Sequence, residues 1–511
     1  MIDANLPPLI QQMQQPGFYP HPVQAPIQLL QTHISYVFLT GEYAYKVKKP
    51  LNFGFLDYST LEKRQHFCQE ELRLNQRGAA EIYLEVLPIT LVGERFQLGG
   101  SGTPVEYVVK MRQFPQEALL TALYERGELT ETLLEELAKV LADFHRTATT
   151  NEYIRSFGEV AQIRQAIDEN YEQTEKYVGG PQTQEQLEQT RAYTDRLFAE
   201  RPEIFTQRVV ADRIRECHGD VHLRNIAYWN QRLWLFDCIE FNESFRFVDV
   251  MFDIAYIVMD LDARDRPDLS NRFLNAYLEQ SGDWEGLQVL PLYLSRQSYV
   301  RAKVTSFLLD DPTIPATAKQ EAAQTAARYY RLAWDYTRPR FGRLLLMAGL
   351  SGSGKSTTAR YLASKMGAIQ IRSDAVRKHL GGIPLEQRGS SDLYTPEMTQ
   401  KTYDRLLRMG LTLAQEGYTV LLDAKYDRQN QRQTAIAQAV AHQIPLQILY
   451  CDAPLEVLQQ RLTQRTGDIA DATADLLPKQ VMEPFTNSEQ PYVTRIDTTQ
   501  PIDPQLQSIL S

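Results

Sequence analysis

The chain has 511 residues, 43% of them hydrophobic and 23% charged, with 26 glycines and 26 prolines. This ordinary globular mixture excludes a disordered, collagen-like or coiled-coil chain, and at about 150 residues per domain the length predicts two to four compact units. A formal charge of −10 excludes a globally basic nucleic-acid surface, although a local basic cleft could still hold phosphate. The four cysteines are scattered and form no CxxC pair, so a reducing compartment is expected rather than a disulfide framework or a zinc site. The opening MIDANLPPLIQQMQQP has neither a basic nor an apolar signal region, and no run of eighteen apolar residues follows. A soluble, cytoplasmic protein without a membrane partner is therefore expected.

In chain order, a Pro/Gln-rich lead-in gives way to a strand over 34–39, a turn at Thr40-Gly41-Glu42, and a hairpin partner over 43–48. Residues 59–75 have helical spacing, with Ser59 as candidate N-cap. Strands are predicted over 84–92 and 105–111. Mostly helical segments follow at 119–123, 129–146 and 160–200, with a short strand over 233–236. The Ala-rich helix 317–337 is stopped by Pro339. After that break, strands at 343–348, 369–371, 419–422 and 446–450 alternate with helices at 355–365, 397–416, 430–441 and 454–465. Such alternation predicts a parallel, doubly wound α/β sheet. The boundary is placed near 336–342.

Two motif sets carry chemistry. In His218-Gly219-Asp220-Val221-His222-Leu223-Arg224-Asn225, an Asn stands five residues after the Asp of H-x-D, and Asp237 ends the strand that follows. The spacing suits phosphoryl transfer: one Asp accepts the acceptor's proton, an Asn holds Mg²⁺, and a second Asp across a hairpin bridges metal and phosphates. This segment resembles the aminoglycoside phosphotransferase-like superfamily. The resemblance implies that Asp220 is the catalytic base, Asn225 a metal ligand and Asp237 the main metal-binding acid. It further implies that His218 braces the loop and that Asp249 and Asp253 are structural acids. Asp237 is followed by Cys238-Ile239 rather than Phe-Gly, and no A-P-E segment is present, which favours a small-molecule kinase over a protein kinase. Tyr43-Ala44-Tyr45-Lys46 fills the slot of V-A-I-K, so Lys46 is the expected phosphate-binding lysine. Lys48 on the same strand face is the alternative, and the partner is Glu71 or Glu70. No glycine-rich loop precedes them beyond Gly41. The strand over 105–111 running into Arg112-Gln113-Phe114-Pro115 is expected to be the hinge.

The second set begins with Gly349-Leu350-Ser351-Gly352-Ser353-Gly354-Lys355-Ser356, a match to G-x-x-x-x-G-K-[ST] placed after an apolar strand and opening a helix. A chance match in a chain of this length is on the order of one per cent. The backbone N–H groups of this loop, including those of Ser351, Ser353 and Thr357, would cradle ATP phosphates at a helix N-terminus. Lys355 would reach the terminal phosphates and Ser356 would bind Mg²⁺. Asp423 ends an apolar strand at the metal-organising position, and the next residue is Ala424 rather than the Glu of motor ATPases. Ile371–Arg377 resembles the corresponding segment of small P-loop kinases of the zeta-toxin, chloramphenicol phosphotransferase, gluconate kinase and polynucleotide kinase type. That resemblance implies that Asp374 faces the acceptor hydroxyl and that Arg377 holds substrate. The competing reading makes Asp374 a helix cap. Arg461 and Arg465, four apart on a predicted helix, share a face, and the resemblance implies that they are brought over the phosphates.

The expected fold is an α+β bilobal protein-kinase-like domain followed by an α/β P-loop NTPase domain with a parallel doubly wound sheet. Its small lobe is placed at 1–115, its large lobe at 116–338 and the P-loop domain at 343–511. In series, the two sets resemble the bifunctional aminoglycoside phosphotransferase/ATP-binding protein family. That resemblance implies a tandem kinase with two Mg·ATP sites and small hydroxylated acceptors, and the acidic charge weighs against nucleic acid as acceptor. Two rivals remain: an active P-loop kinase with a regulatory kinase-like module, or a P-loop ATPase switch controlling the N-terminal kinase.

Overall fold

The computed structural model describes residues 6–100 and 102–510. Residues 1–5, where the absence of a signal sequence was read, lie outside the described residues. Contacts divide the chain into two compact units. The first comprises residues 1–130, 144–165 and 205–257, and the second comprises residues 131–143, 166–204 and 258–511.

The first unit holds a six-stranded antiparallel sheet built from β1 (Gln28–Gln31), β2 (Ser35–Leu39), β3 (Tyr43–Lys48), β4 (Tyr83–Val92), β5 (Arg95–Leu98) and β6 (Pro104–Arg112). Their order is β1-β2-β3-β6-β4-β5. Alternation along β3 sends Tyr45 and Val47 to one face, where they meet Phe38, Ile89 and Val108. The lead-in covers that face: it folds as the short helix Pro8–Met13 and buries Ile10, Met13 and Tyr19 there. Ala44 turns to the other face, packing with Leu39, Val109 and Met111 against Cys68 and Ala79 of the helix Leu61–Ala79. Lys46 and Lys48 have the parity of Ala44 and so lie beneath that helix. The helix is capped by Thr60, whose hydroxyl accepts from the Lys63 N–H at 3.3 Å, and not by Ser59. Ser59 is already engaged, donating through both its N–H (3.0 Å) and its hydroxyl (2.6 Å) to Asp57. Two smaller ribbons complete this unit: β7 (Ile214–Glu216) pairs with β10 (Phe247–Asp249), and β8 (Ile226–Trp229) forms a hairpin with β9 (Arg232–Leu235). The hairpin turns through Asn230 and Gln231, both left-handed at φ 53° and 60°.

The second unit contains a parallel five-stranded sheet of β11 (Arg343–Ala348), β12 (Ile369–Arg372), β13 (Thr419–Asp423), β14 (Leu446–Asp452) and β15 (Val493–Asp497), in the order β12-β13-β11-β14-β15. The apolar runs of β11 and β13 are buried throughout, as expected for strands covered on both faces. Leu345, Met347, Leu421 and Leu449 pack against Ala359 and Leu362 of the helix Lys355–Met366. The fifth strand was not foreseen: Val493-Thr494-Arg495-Ile496-Asp497 sits at an edge and buries Ile496 alone. At the opposite edge, β12 is covered by the helix Pro267–Ser281. The Gln370 N–H donates to Asn275 Oδ1 at 2.7 Å, and the Ala368 carbonyl accepts from Asn271 at 2.9 Å and Asn275 at 3.0 Å. Strand order reverses between β11 and β13, so the crevice for a ligand lies at their carboxyl ends. Among the described residues, no helix is long and apolar enough to cross a membrane.

Candidate active sites

In the first unit, the site is assembled from side chains. Lys46 Nζ lies 2.7 Å from Glu71 Oε1 and 2.6 Å from Asp237 Oδ1. Glu71 is fully buried, and its second oxygen lies 2.6 Å from Lys48 Nζ. Lys48 in turn pairs with Glu240, which also accepts from the Tyr58 hydroxyl. Both lysines therefore meet Glu71, and only Lys46 also meets Asp237 among the contacts described. Glu70 turns away to Arg73, 2.8 Å distant. Burial works against each ammonium, but Asp237 and Glu71 beside Lys46, and Glu240 and Glu71 beside Lys48, hold both lysines above their ordinary value. Burial likewise opposes ionisation of Asp237, yet the Lys46 ammonium brings its carboxyl below the usual range. Glu240 and Tyr58 were not foreseen, because Glu240 sits in an irregular loop after Asp237 with no periodicity to mark it.

The loop from His218 to Asn225 is held from below. Asp253 accepts from the His218 N–H at 2.8 Å, the Gly219 N–H at 2.9 Å and His145 Nε2 at 3.1 Å. Gly219 has φ +85°, and a Cβ there would stand 2.6 Å from the Phe245 carbonyl oxygen. His218 Nε2 donates to the Phe236 carbonyl at 2.9 Å, tying this loop to the one that carries Asp237. Asn225 Nδ2 donates to the backbone oxygen of Asp220 at 2.9 Å and to its carboxylate at 3.3 Å. His222 Nε2 lies 3.4 Å from that carboxylate. The structure thus brings Lys46, Glu71 and Asp237 together, and Asp220 with Asn225. Asp253 supports the loop, whereas Asp249 forms a buried two-point pair with Arg208 at 2.8 and 2.6 Å. At the expected hinge, Gln113 Oε1 accepts from the Gly41 N–H at 2.9 Å.

In the second unit, the site is built largely from backbone. Gly349, Gly352 and Gly354 have φ +137°, +81° and +89°, and a Cβ on Gly349 would stand 2.3 Å from the Cys451 carbonyl oxygen. Gly354 caps the helix Lys355–Met366. Lys355 Nζ donates to the Leu350 carbonyl at 2.7 Å, lying back along the loop. Burial pushes this ammonium below its ordinary value, against the pull of Asp423. The loop is held from outside by Gln480, which accepts from the Ser351 N–H and donates to its hydroxyl, each at 3.0 Å.

A cavity of about 910 Å³ opens at the carboxyl ends of the strands, lined by Lys355, Ser356, Thr357, Asp374 and Asp423. Arg377, Arg461 and Arg465 line it too. Asp374 stands in the first turn of the helix Ser373–Leu380, whose N-cap is Arg372 with no side-chain capping bond. The capping reading of Asp374 therefore does not hold. Burial raises its carboxyl above the ordinary value, with Arg372 opposing. Arg377 donates to the Leu393 carbonyl at 2.7 Å and to the Thr399 hydroxyl at 3.2 Å. The helix carrying Arg461 ends at Gln464 with Arg465 as its C-cap at φ −68°, and both side chains line the cavity. Arg461 donates to the Thr498 carbonyl (2.8 Å), its hydroxyl (2.9 Å) and the Gly352 carbonyl (3.4 Å), while Arg465 holds Ala470 and Ala472. Asp423 accepts from Gln370 Nε2 at 2.9 Å, a partner the sequence did not reveal.

Residues 88–290 match the phosphotransferase enzyme family, a span that holds Asp220, Asn225 and Asp237 but not Lys46 or Glu71, and residues 344–483, which hold the P-loop, match an AAA domain. An uncharacterized protein of Mycobacterium tuberculosis (strain ATCC 25618 / H37Rv) is 30% identical over 462 residues, spanning 89% of this chain and 90% of that protein. A Mycobacterium bovis protein matches with the same figures. The chain belongs to their family. It joins an aminoglycoside phosphotransferase-like kinase domain to a P-loop kinase domain, and its general activity is ATP-dependent phosphoryl transfer. Among solved structures, a choline/ethanolamine kinase family protein from Mesorhizobium loti is similar over 65% of this chain and 99% of its own, at 11% identity and a TM-score of 0.39. A gluconokinase from Sinorhizobium meliloti 1021 is similar over 34% of this chain and 91% of its own, at 20% identity and a TM-score of 0.25.

Proposed function

We propose that the protein is a tandem kinase in which each half transfers the ATP γ-phosphoryl group to a hydroxyl of its own small-molecule acceptor. The observation that carries this reading is the Lys46 ammonium held between Glu71 and Asp237, because it completes the N-terminal motif set beside an intact P-loop. In the N-terminal half, Lys46 orients the phosphates. Asp220 takes the proton from the acceptor hydroxyl as its oxygen bonds to phosphorus and the bond to the ADP oxygen breaks. Asp237 and Asn225 are the groups that would hold Mg²⁺; the Asn225 amide nitrogen is turned to Asp220, which presents the other, cation-binding end of the amide. In the C-terminal half, the loop from Gly349 to Thr357 cradles phosphates, Lys355 binds them, and Ser356 with Asp423 suits Mg²⁺. Asp374 serves as proton acceptor and Arg377 positions the acceptor. Arg461 and Arg465 supply positive charge at the cavity wall. Bound Mg²⁺ neutralises phosphate charge in both sites. Positioning and charge neutralisation do the catalytic work.

The test uses γ-labelled ATP and a panel of sugars, amino alcohols, nucleosides and aminoglycosides, with Asp220→Asn and Lys355→Ala run beside the parent. Two products, each removed by one variant, are expected. A product that survives both variants would refute the tandem reading.

A further inference from the structure

The helix Pro267–Ser281 falls inside the segment that matches the phosphotransferase enzyme family, yet one of its faces serves the P-loop site. Asn271, Asn275 and Glu279 recur every four residues and so share that face. The two asparagines hold the edge of β12, as described above. Glu279 Oε1 stands 3.6 Å from Arg372 Nη1 at the end of the same strand. Gln370 and Arg372 have equal parity along β12, and both reach toward Asp423 on the neighbouring β13. Gln370 donates to Asp423, while Arg372 Nε lies 3.9 Å from the same carboxylate oxygen. Arg372 is buried and pairs also with Asp468.

We propose that Glu279 is a positioning residue of the P-loop site, acting through Arg372 to set the field at Asp423 and hence that site's affinity for a divalent cation. The inference rests on the reading of Asp423 as a metal ligand. A guanidinium beside a metal-binding carboxylate competes with the cation for it, both by position and by charge. Glu279 and Asp468 draw Arg372 to their side and neutralise it. Removing one of those charges leaves Arg372 free to turn toward Asp423. The kinase-like half thereby supplies part of the charge balance on which the other half's cation site depends.

The experiment uses the full chain carrying Asp237→Asn, which weakens the N-terminal cation site, and titrates Mg²⁺ at a fixed concentration of a fluorescent ATP analogue. Glu279→Gln keeps the shape and removes the charge. It should raise the Mg²⁺ concentration for half-maximal nucleotide binding roughly tenfold, the effect of one unit charge several ångströms away at intermediate dielectric. Glu279→Asp should recover most of the loss, which a merely structural role would not predict. Asp468→Asn removes the other neutralising charge and should shift the titration the same way, so the inference is tested even if Glu279→Gln does not fold. An unchanged Mg²⁺ dependence in the folded variants overturns the inference. If Asp423→Asn also leaves it unchanged, or Lys355→Ala leaves binding intact, the reading of the P-loop site fails and takes the inference with it.

Discussion

The two sites solve one chemical problem with different materials. In the N-terminal half, charge is placed by side chains drawn from distant parts of the chain: Lys46 and Asp237 meet across 191 residues. In the C-terminal half, the phosphate cradle is a run of backbone between β11 and the helix that follows, with glycines at φ values other residues resist. A site of the first kind depends on the integrity of a buried ion cluster. A site of the second kind depends on local backbone geometry and survives as long as its strand and helix do. Substitutions should therefore damage the two halves in different currencies, stability in one and nucleotide binding in the other.

The largest effects should come from the two proposed proton acceptors. Asp220→Asn should lower N-terminal transfer, and Asp374→Asn C-terminal transfer, each by roughly 10²–10⁴. Product-resolved assays with γ-labelled ATP check this, and loss of both products from either variant would break the comparison. Because burial raises the Asp374 carboxyl and only its ionised form accepts a proton, C-terminal activity should rise with pH through a limb above the ordinary value of 3.8. The pH profile of the C-terminal product measures that limb. Next in size is Glu71→Gln, which strands Lys46 and Lys48 without their shared carboxylate and should cost about 3–5 kcal/mol in denaturant unfolding. Glu70→Gln breaks a more exposed pair and should cost less than about 1 kcal/mol. Equal effects would mean that the ion cluster does not set the stability of that half. Gly349→Ala forces a side chain into a left-handed residue against the Cys451 carbonyl. It should cost roughly 1–3 kcal/mol and remove nucleotide binding at the P-loop, read by calorimetry on the Asp237→Asn background. Thr60→Ala removes the cap of the helix that carries Glu71 and should cost about 1 kcal/mol by thermal melting.

How much of this was legible in the sequence follows from the same contrast. The P-loop was readable because its chemistry is local: strand, glycines, Lys355 and Ser356 all lie within one stretch. The strand 43–48 and the alternating elements after Pro339 were readable because one face or both are buried along their length. The choice between Lys46 and Lys48 was not, since both point beneath the same helix, and only the fold shows Asp237 beside one and Glu240 beside the other. Glu279 stayed hidden for a related reason: its spacing from Asn271 and Asn275 reads as an ordinary polar helix face until β12 is seen beneath it. The capping role expected of Ser59 was lost to a local competitor, Asp57, which sequence spacing does not rank.

The amides that close β12 also bear on how the protein behaves at high concentration. An open parallel sheet ends in a row of unpaired N–H and C=O groups, a ready template for another chain. Here Asn271 and Asn275 satisfy the Gln370 N–H and the Ala368 carbonyl from within the same unit. A fragment begun at the Pro339 break would leave that edge bare and would tend to associate edge to edge. Its precipitation would then be a colloidal consequence of the cut, carrying no information about the chemistry of the P-loop.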